Sequence, residues 1–208
     1  VDEAHCISQW GYDFRPSYLK ISEIRELKKD VPIIAVTATA TKKVVDDVVQ
    51  KLDLNAPKII TKTFYRKNLS YSVLYEEDKL ERLLRVIKNV NGTGIVYAKT
   101  RARTKEVADY LRKQKVSVAH YHAGLDSKVR NKIQEDWIEN KTRVIVSTNA
   151  FGMGIDKPDV RFVVHVDCPS SIEAYFQEAG RAGRDEKNAF AVLLYNNHDK
   201  IQLTEDFE

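Results

Sequence analysis

Residues 143–166 read RVIVSTNAFGMGIDKPDVRFVVHV: two β-branched runs separated by a loop with two glycines one residue apart. Runs that are apolar throughout, without alternation, predict strands buried on both faces. Outward from this pair, the chain from about Asn68 onward keeps switching between short β-branched runs and helical spacing. Residues 69–75 alternate like a strand, and 78–90 place Leu80, Leu83, Leu84, Ile87 and Val90 on one helical stripe. Residues 94–98 (GIVYA) predict a buried strand, 101–114 a helix, 117–122 a strand, and 127–140 a helix burying Val129, Ile133 and Trp137. Strands at 143–147, 162–166 and 190–195, with a helix over 172–179, complete the series. Strand–helix alternation with apolar strands predicts an α/β fold, a parallel sheet with helices on both faces. Sheets of this kind carry functional loops at the carboxyl ends of their strands.

Residues 1–67 differ. They predict a helix-like stretch at 18–28, a strand at 32–36, a helix at 42–52 and a strand at 58–61, too few elements for an independent sheet. The chain also opens in mid-element, with residues 1–5 reading as the end of a strand and its following loop. The expected organisation is the tail of one lobe over 1–67 and a complete second lobe over 68–208.

Composition narrows the class. The 208 residues are 43% hydrophobic and 31% charged, which supports a packed core and excludes a disordered chain. No apolar run approaches the ~18 residues of a spanning helix, and no secretion leader opens the chain. Two cysteines, Cys6 and Cys168, cannot build a disulfide scaffold or a four-ligand zinc site. The net charge of +4 sits mostly in residues 1–68, with 12 basic and 9 acidic groups, a weak sign of a polyanion partner.

Five stretches carry chemistry. Asp2-Glu3-Ala4-His5 sets two carboxylates side by side at a strand end, where one can bind Mg²⁺ and the next can polarise a water against a γ-phosphate. A solvated surface turn fits the same four letters. Residues 6–16 (CISQWGYDFRP) crowd Trp10, Tyr12, Phe14 and Arg15 around Gly11. Such a loop can stack bases and meet phosphate, and its aromatics can equally plug a core. In residues 37–41 (TATAT), hydroxyls at a strand end can relay hydrogen-bond changes, and Thr41 suits a helix N-cap. Residues 147–156 (STNAFGMGID) allow a tight backbone path near a ligand, with Asp156 as a fixed acceptor, or simply a turn. In residues 177–185 (QEAGRAGRD), Arg181 and Arg184 lie three residues apart amid glycines, suited to charge on a phosphoryl group or to ion pairs with Glu173, Glu178 or Asp185.

Taken in order and spacing together, these stretches resemble the motifs of superfamily-two helicases, and of the RecQ family in particular. The loop over 6–16 discriminates, because DEAH-box RNA helicases share the first four letters and lack it. The resemblance covers the whole chain, including residues 64–69 (FYRKNL) and 122–125 (HAGL). It implies RecA-like lobes with ATP in the cleft between them and single-stranded DNA across both. Asp2 and Glu3 would then serve Mg²⁺ and the attacking water, with Asp2 the metal contact. His5, counted with the nucleic-acid contacts, would link that site to the loop in which Trp10, Phe14 and Arg15 sense DNA. Gln177, Arg181 and Arg184 match a phosphate-facing motif, with Arg184 the arginine finger and Arg181 assisting. Gly154 and Asp156 match the segment between nucleotide and DNA, and Lys99, Thr100, Arg101, Thr148 and Asn149 the contacts to backbone phosphate, which carry no sequence readout.

There are departures. Tyr12 stands where many relatives have His, and a phenol does not titrate near neutral pH. None of the eight glycines lies in G-x-x-x-x-G-K-[ST], the loop that cradles the β- and γ-phosphates. The family's adenine-reading glutamine segment is also missing, and no zinc is expected, because the four-cysteine module of many members is not in this chain. The sequence therefore predicts a fragment, inactive by itself, of a 3′–5′ DNA helicase acting in repair and recombination. Its expected partners are ATP, single-stranded and duplex DNA, with no membrane. A monomer in the cytoplasm (the bacterial nucleoid) or nucleus is expected, with exchange of residues 1–67 between chains as the variant. A non-catalytic nucleic-acid-binding module and an RNA helicase of the same superfamily are the competing readings.

Overall fold

The computed structural model describes residues 1–9, 13–28, 31–38, 40–151 and 155–205. Two compact units emerge: Val1–Tyr65 with Ser171–Gln177, and Arg66–Ser170 with Glu178 onward.

The second unit holds a six-stranded sheet. In chain order it runs β1 (Leu69–Tyr75), α3 (Lys79–Asn89), β2 (Thr93–Tyr97), α4 (Arg101–Lys113), β3 (Val118–Tyr121), α5 (Ser127–Ile138), β4 (Val144–Ser147), β5 (Val160–His165) and β6 (Ala189–Tyr195). Helix α6 (Ile172–Ala179) lies between β5 and β6, and α7 (Asn197–Glu205) follows. The spatial order is β1-β6-β5-β2-β4-β3, with every pairing parallel. Parallel neighbours need crossovers, and helices supply all but the one from β4 to β5, where residues 148–159 show no helix among those described. This is the parallel RecA-like sheet the sequence predicts.

The core follows from strand alternation. Val96, Val144, Val146, Phe162, Val164 and Leu194 meet Leu83 and Ile87 of α3 and Val107 and Leu111 of α4. Alternate positions face the other way, where Trp137 of α5 and Tyr121 of β3 meet the Phe151 ring edge-on at 5.2 and 4.8 Å. Helix starts are capped as their sequences suggest: Asp78 accepts from Glu81 N and Thr100 from Arg103 N. In α5 the expected stripe is only partly buried. Trp137 is 1% exposed but Val129 is 46% exposed, because the helix meets the sheet through its second half.

The first unit is less regular. Residues Ala4–Ile7 and Pro16–Glu23 form 3-10 turns, Ile24–Leu27 a single α turn (α1), and Lys42–Lys51 the helix α2. The helix expected over 18–28 is thus mostly 3-10. The strands expected at 32–36 and 58–61 do not form. Residues 32–36 are extended, and Val36 exchanges backbone hydrogen bonds with Val1 and Ala4 at 2.9 and 3.0 Å. No second strand flanks them among the described residues, so no ladder builds. Ala4, Ile7, Val44, Val48 and Leu52 make a small core, while Ile34 and Ile60 stay 76% and 80% exposed.

Gly94 in β2 exists for the ring beside it: a Cβ there would sit 2.0 Å from Phe162 Cε2. Gly94→Ala should destabilise the second unit by roughly 1–3 kcal/mol through overpacking. Urea unfolding measures this, and an unchanged midpoint would contradict the packing described.

Candidate functional site

In the first unit, the acidic pair follows directly on Val1. Asp2 is exposed, and its Oδ1 accepts from Glu3 N at 2.9 Å. Glu3 adopts φ 47, ψ 44, a left-handed conformation uncommon for a side chain with a Cβ. Strained backbone of this kind concentrates at functional sites. The Glu3 carboxylate is half exposed, with Oε2 3.4 Å from His5 Nδ1 and Oε1 3.5 Å from Gln177 Nε2, which belongs to the same unit.

His5 is buried, and its Nδ1 lies 2.9 Å from Thr37 Oγ1. Burial holds its pKa below the usual 6.5, against the pull of Glu3 and Asp13. The imidazole is therefore neutral near pH 7, and its contact with Glu3 is a hydrogen-bonding contact rather than an ion pair. Thr37, a member of the TATAT stretch, thus reaches the acidic pair through His5. Only 1% exposed, His5 offers no face to a strand, which corrects the expectation that it contacts one: it lies between Glu3 and Thr37. Thr41 caps α2, accepting from Val44 N.

Trp10, Gly11 and Tyr12 lie outside the described residues. Phe14 is half-buried, with Lys51 Nζ 5.9 Å from its ring centre. Arg15 donates to Asp13 Oδ2 at 2.5 Å, and its guanidinium stands 6.0 Å over the Tyr18 ring.

In the second unit the candidate residues 99–101 and 148–149 follow the carboxyl ends of β2 and β4, whereas the turn carrying Arg181 and Arg184 is tied to the amino end of β5 through Gly183 N and Val160 O. A cleft of about 770 Å³ opens at the carboxyl ends, lined by residues that follow β1, β2, β5 and β6, among them Lys99, Thr100, Arg103 and Asp167. Lys99 N donates to Asp167 Oδ2 at 2.8 Å. Thr100 caps α4, so its side-chain oxygen already accepts a backbone N–H. Arg101 is exposed beside Gly124, where a Cβ would come within 2.7 Å of its Nη1. Thr148 is half-buried and Asn149 exposed, and Gly154 lies outside the described residues.

The two arginines past α6 point to different tasks. Arg181 is half-buried and hydrogen-bonds the buried Tyr97, whose hydroxyl donates to Phe151 O at 3.0 Å. Arg184 is exposed and donates to Asp156 Oδ1 at 2.8 Å. Two of the three acidic groups named as alternative partners are otherwise engaged: Asp185 binds Arg161 at 2.5 Å, and Glu178 holds His165 at 2.8 Å. The His165 ring stacks on Tyr97, 5.2 Å between centres.

The family is decided by the stretch that carries β2 to β5 of this sheet. The helicase conserved C-terminal domain matches residues 78–186. The chain belongs to that family. The helicase domain has RecQ-like relatives across nearly its whole length. It is 46% identical over 210 residues to the RecQ-like DNA helicase blm-1 of Caenorhabditis elegans, covering 98% of this chain and 21% of that protein. To the ATP-dependent DNA helicase RecQ of Pasteurella multocida it is 43% identical over 204 residues, 98% of this chain and 32% of that protein. The chain therefore spans a third or less of the length of these relatives. In fold it is similar to Saccharomyces cerevisiae Dbp5 bound to RNA and ADP BeF3, at TM-score 0.74 and 23% identity, covering 99% of this chain and 55% of that one. Mycobacterium smegmatis helicase Lhr bound to ssDNA and AMP-PNP gives TM-score 0.75 at 22% identity, over 93% and 28% of the two chains.

Sequence reasoning gave no individual role to Arg66, Asn68, Tyr97 or His165, although 64–69 belongs to the resemblance and Glu178 was named as an ion-pair partner. Arg66 and Asn68 meet their partners more than a hundred residues along the chain.

The neutral, buried His5 gives stability a pH dependence. Its pKa is lower folded than unfolded, so below about 6.5 the unfolded chain binds more protons and stability falls with pH. Urea unfolding at pH 7.5 and 5.5 should show this, and His5→Asn should shrink the difference. An identical difference in the variant would contradict it.

Proposed function

We propose that this chain is part of an ATP-dependent DNA helicase that moves 3′ to 5′ along one strand and parts the duplex. The observation that supports this most is the RecQ-like similarity over nearly the whole chain, 46% identity across 98% of it. Among the described residues no helix is long and apolar enough to cross a membrane. A DNA motor works where DNA is, in the nucleus or the bacterial nucleoid, and we take it as a monomer.

In this reading Glu3 orients the attacking water and accepts its proton, with Gln177 and His5 holding the carboxylate. Asp2 suits Mg²⁺, since that ion keeps most of its waters and takes one or two protein carboxylates beside phosphate oxygens. Bound with ATP, Mg²⁺ offsets charge on the β- and γ-phosphoryl oxygens. Arg184 stabilises charge building on the transferred phosphoryl group. Its pair with Asp156 is exposed on both sides, 41% and 77%, and exposed pairs contribute about 0–1 kcal/mol. A guanidinium so lightly held exchanges easily onto phosphate, leaving Asp156 for a ribose hydroxyl. Phe14 and Arg15, with Trp10, would meet the strand in the first unit. Lys99, Arg101 and Asn149 would meet phosphates at the second.

Residues 1–208 contain no phosphate-cradling loop and should show no DNA-stimulated ATP hydrolysis; robust turnover would refute the reading. In a longer protein that includes such a loop, Arg184→Ala should lower kcat by about 10³-fold or more with DNA binding kept. Lost DNA binding with normal hydrolysis would overturn the finger assignment.

A further inference from the structure

Four hydrogen bonds converge on the loop that carries Arg181 and Arg184, and they come from two residues just ahead of β1. Arg66 Nη1 donates to Gly180 O at 3.0 Å, and its Nη2 donates to the Gly183 carbonyl. Asn68 Nδ2 donates to Gly183 O at 2.7 Å and to Lys187 O at 2.8 Å. Of the accepting carbonyls, Gly180 O directly follows the end of α6 at Ala179, a helix end that favours a cation. Arg143 does the same for α3, donating to Ile87 O and Val90 O at 2.6 and 2.7 Å.

The clasp is tight and anchored. Gly183 has φ +62, and a Cβ there would lie 2.7 Å from Asn68 Nδ2 and 2.8 Å from Ala189 Cβ. Gly183 N donates to Val160 O at 2.8 Å, tying the loop to β5. Asn68 O accepts from Ala189 N at 2.8 Å, tying the clasp to β6. The two arginines therefore leave from a turn whose carbonyls are held at both ends, Gly180 before Arg181 and Gly183 before Arg184.

We propose that Arg66 and Asn68 are positioning residues for Arg184, fixing the turn from which it reaches the transferred phosphoryl group. The inference rests on the ATPase reading above. A guanidinium fork can hold two carbonyls at once in a fixed plane, whereas an ammonium is a single point of charge, so Lys is a poor substitute. Misplacing a catalytic group by about 1 Å can cost a hundredfold in rate.

The test uses the longer protein that includes the phosphate-cradling loop, with DNA-stimulated ATP hydrolysis as readout. Arg66→Lys and Asn68→Ser should each lower kcat by about tenfold to a hundredfold. KM for ATP and affinity for single-stranded DNA should stay within about twofold. In an Arg184→Ala background, Arg66→Lys should cost nothing further, because the group it positions is gone. An unchanged kcat in both single variants, with Arg184→Ala inactive, overturns this proposal and leaves the function standing. An equal fall from Arg66→Lys with and without Arg184 marks general damage and also overturns it. Full activity in Arg184→Ala sinks the function reading itself.

Discussion

Strands β2 and β4 bury every side chain they carry. Strands with no solvent face must be roofed on both sides, and the helices that follow β1, β2, β3 and β5 give the crossovers that keep neighbouring strands parallel. Chain direction is then common to all six strands, so their carboxyl ends open on one edge. That edge is where Lys99, Thr100 and Asp167 meet around the cleft. Burial of apolar surface thus decides where polar chemistry is put, before any functional side chain is chosen.

Charges drawn beneath that edge each have an answering group. Lys79, 7% exposed, binds Asp199 at 2.6 Å and donates to Val166 O at 2.7 Å. His165 leans on Glu178, and Arg181 on Tyr97. Replacing one member of such a pair leaves a buried charge or dipole uncompensated, which costs about 3–5 kcal/mol for a fully buried ion pair. The exposed Arg184–Asp156 pair has no such hold. Within one short loop the structure separates a locked arginine from a releasable one, a division that suits Arg181 to support and Arg184 to travel.

From Asn68 onward the architecture was legible, because hydrophobic period and strand length are local properties. The helix α7 escaped, since Asn197–Glu205 has no apolar stripe; its mark is a capping box, Asn196 N donating to Asp199 Oδ2 at 2.7 Å and Asp199 N to Asn196 Oδ1 at 3.3 Å. Residues 32–36 and 58–61 read as strands and are not, because a strand is completed by neighbours rather than by its own sequence. Among the candidate site residues, residue type and motif order were readable. Partnerships were not: nothing near Arg66 in the chain foretells Gly180 and Gly183, more than a hundred residues away.

The central proposal is that Arg184 gives up Asp156 for the γ-phosphate of a bound nucleotide. A structure of the longer protein with Mg²⁺ and a non-hydrolysable ATP analogue tests it directly. The account predicts the Arg184 guanidinium about 2.7–2.9 Å from a γ-phosphoryl oxygen and released from Asp156. Arg184 still paired with Asp156, and the γ-phosphate met by other groups, would contradict it.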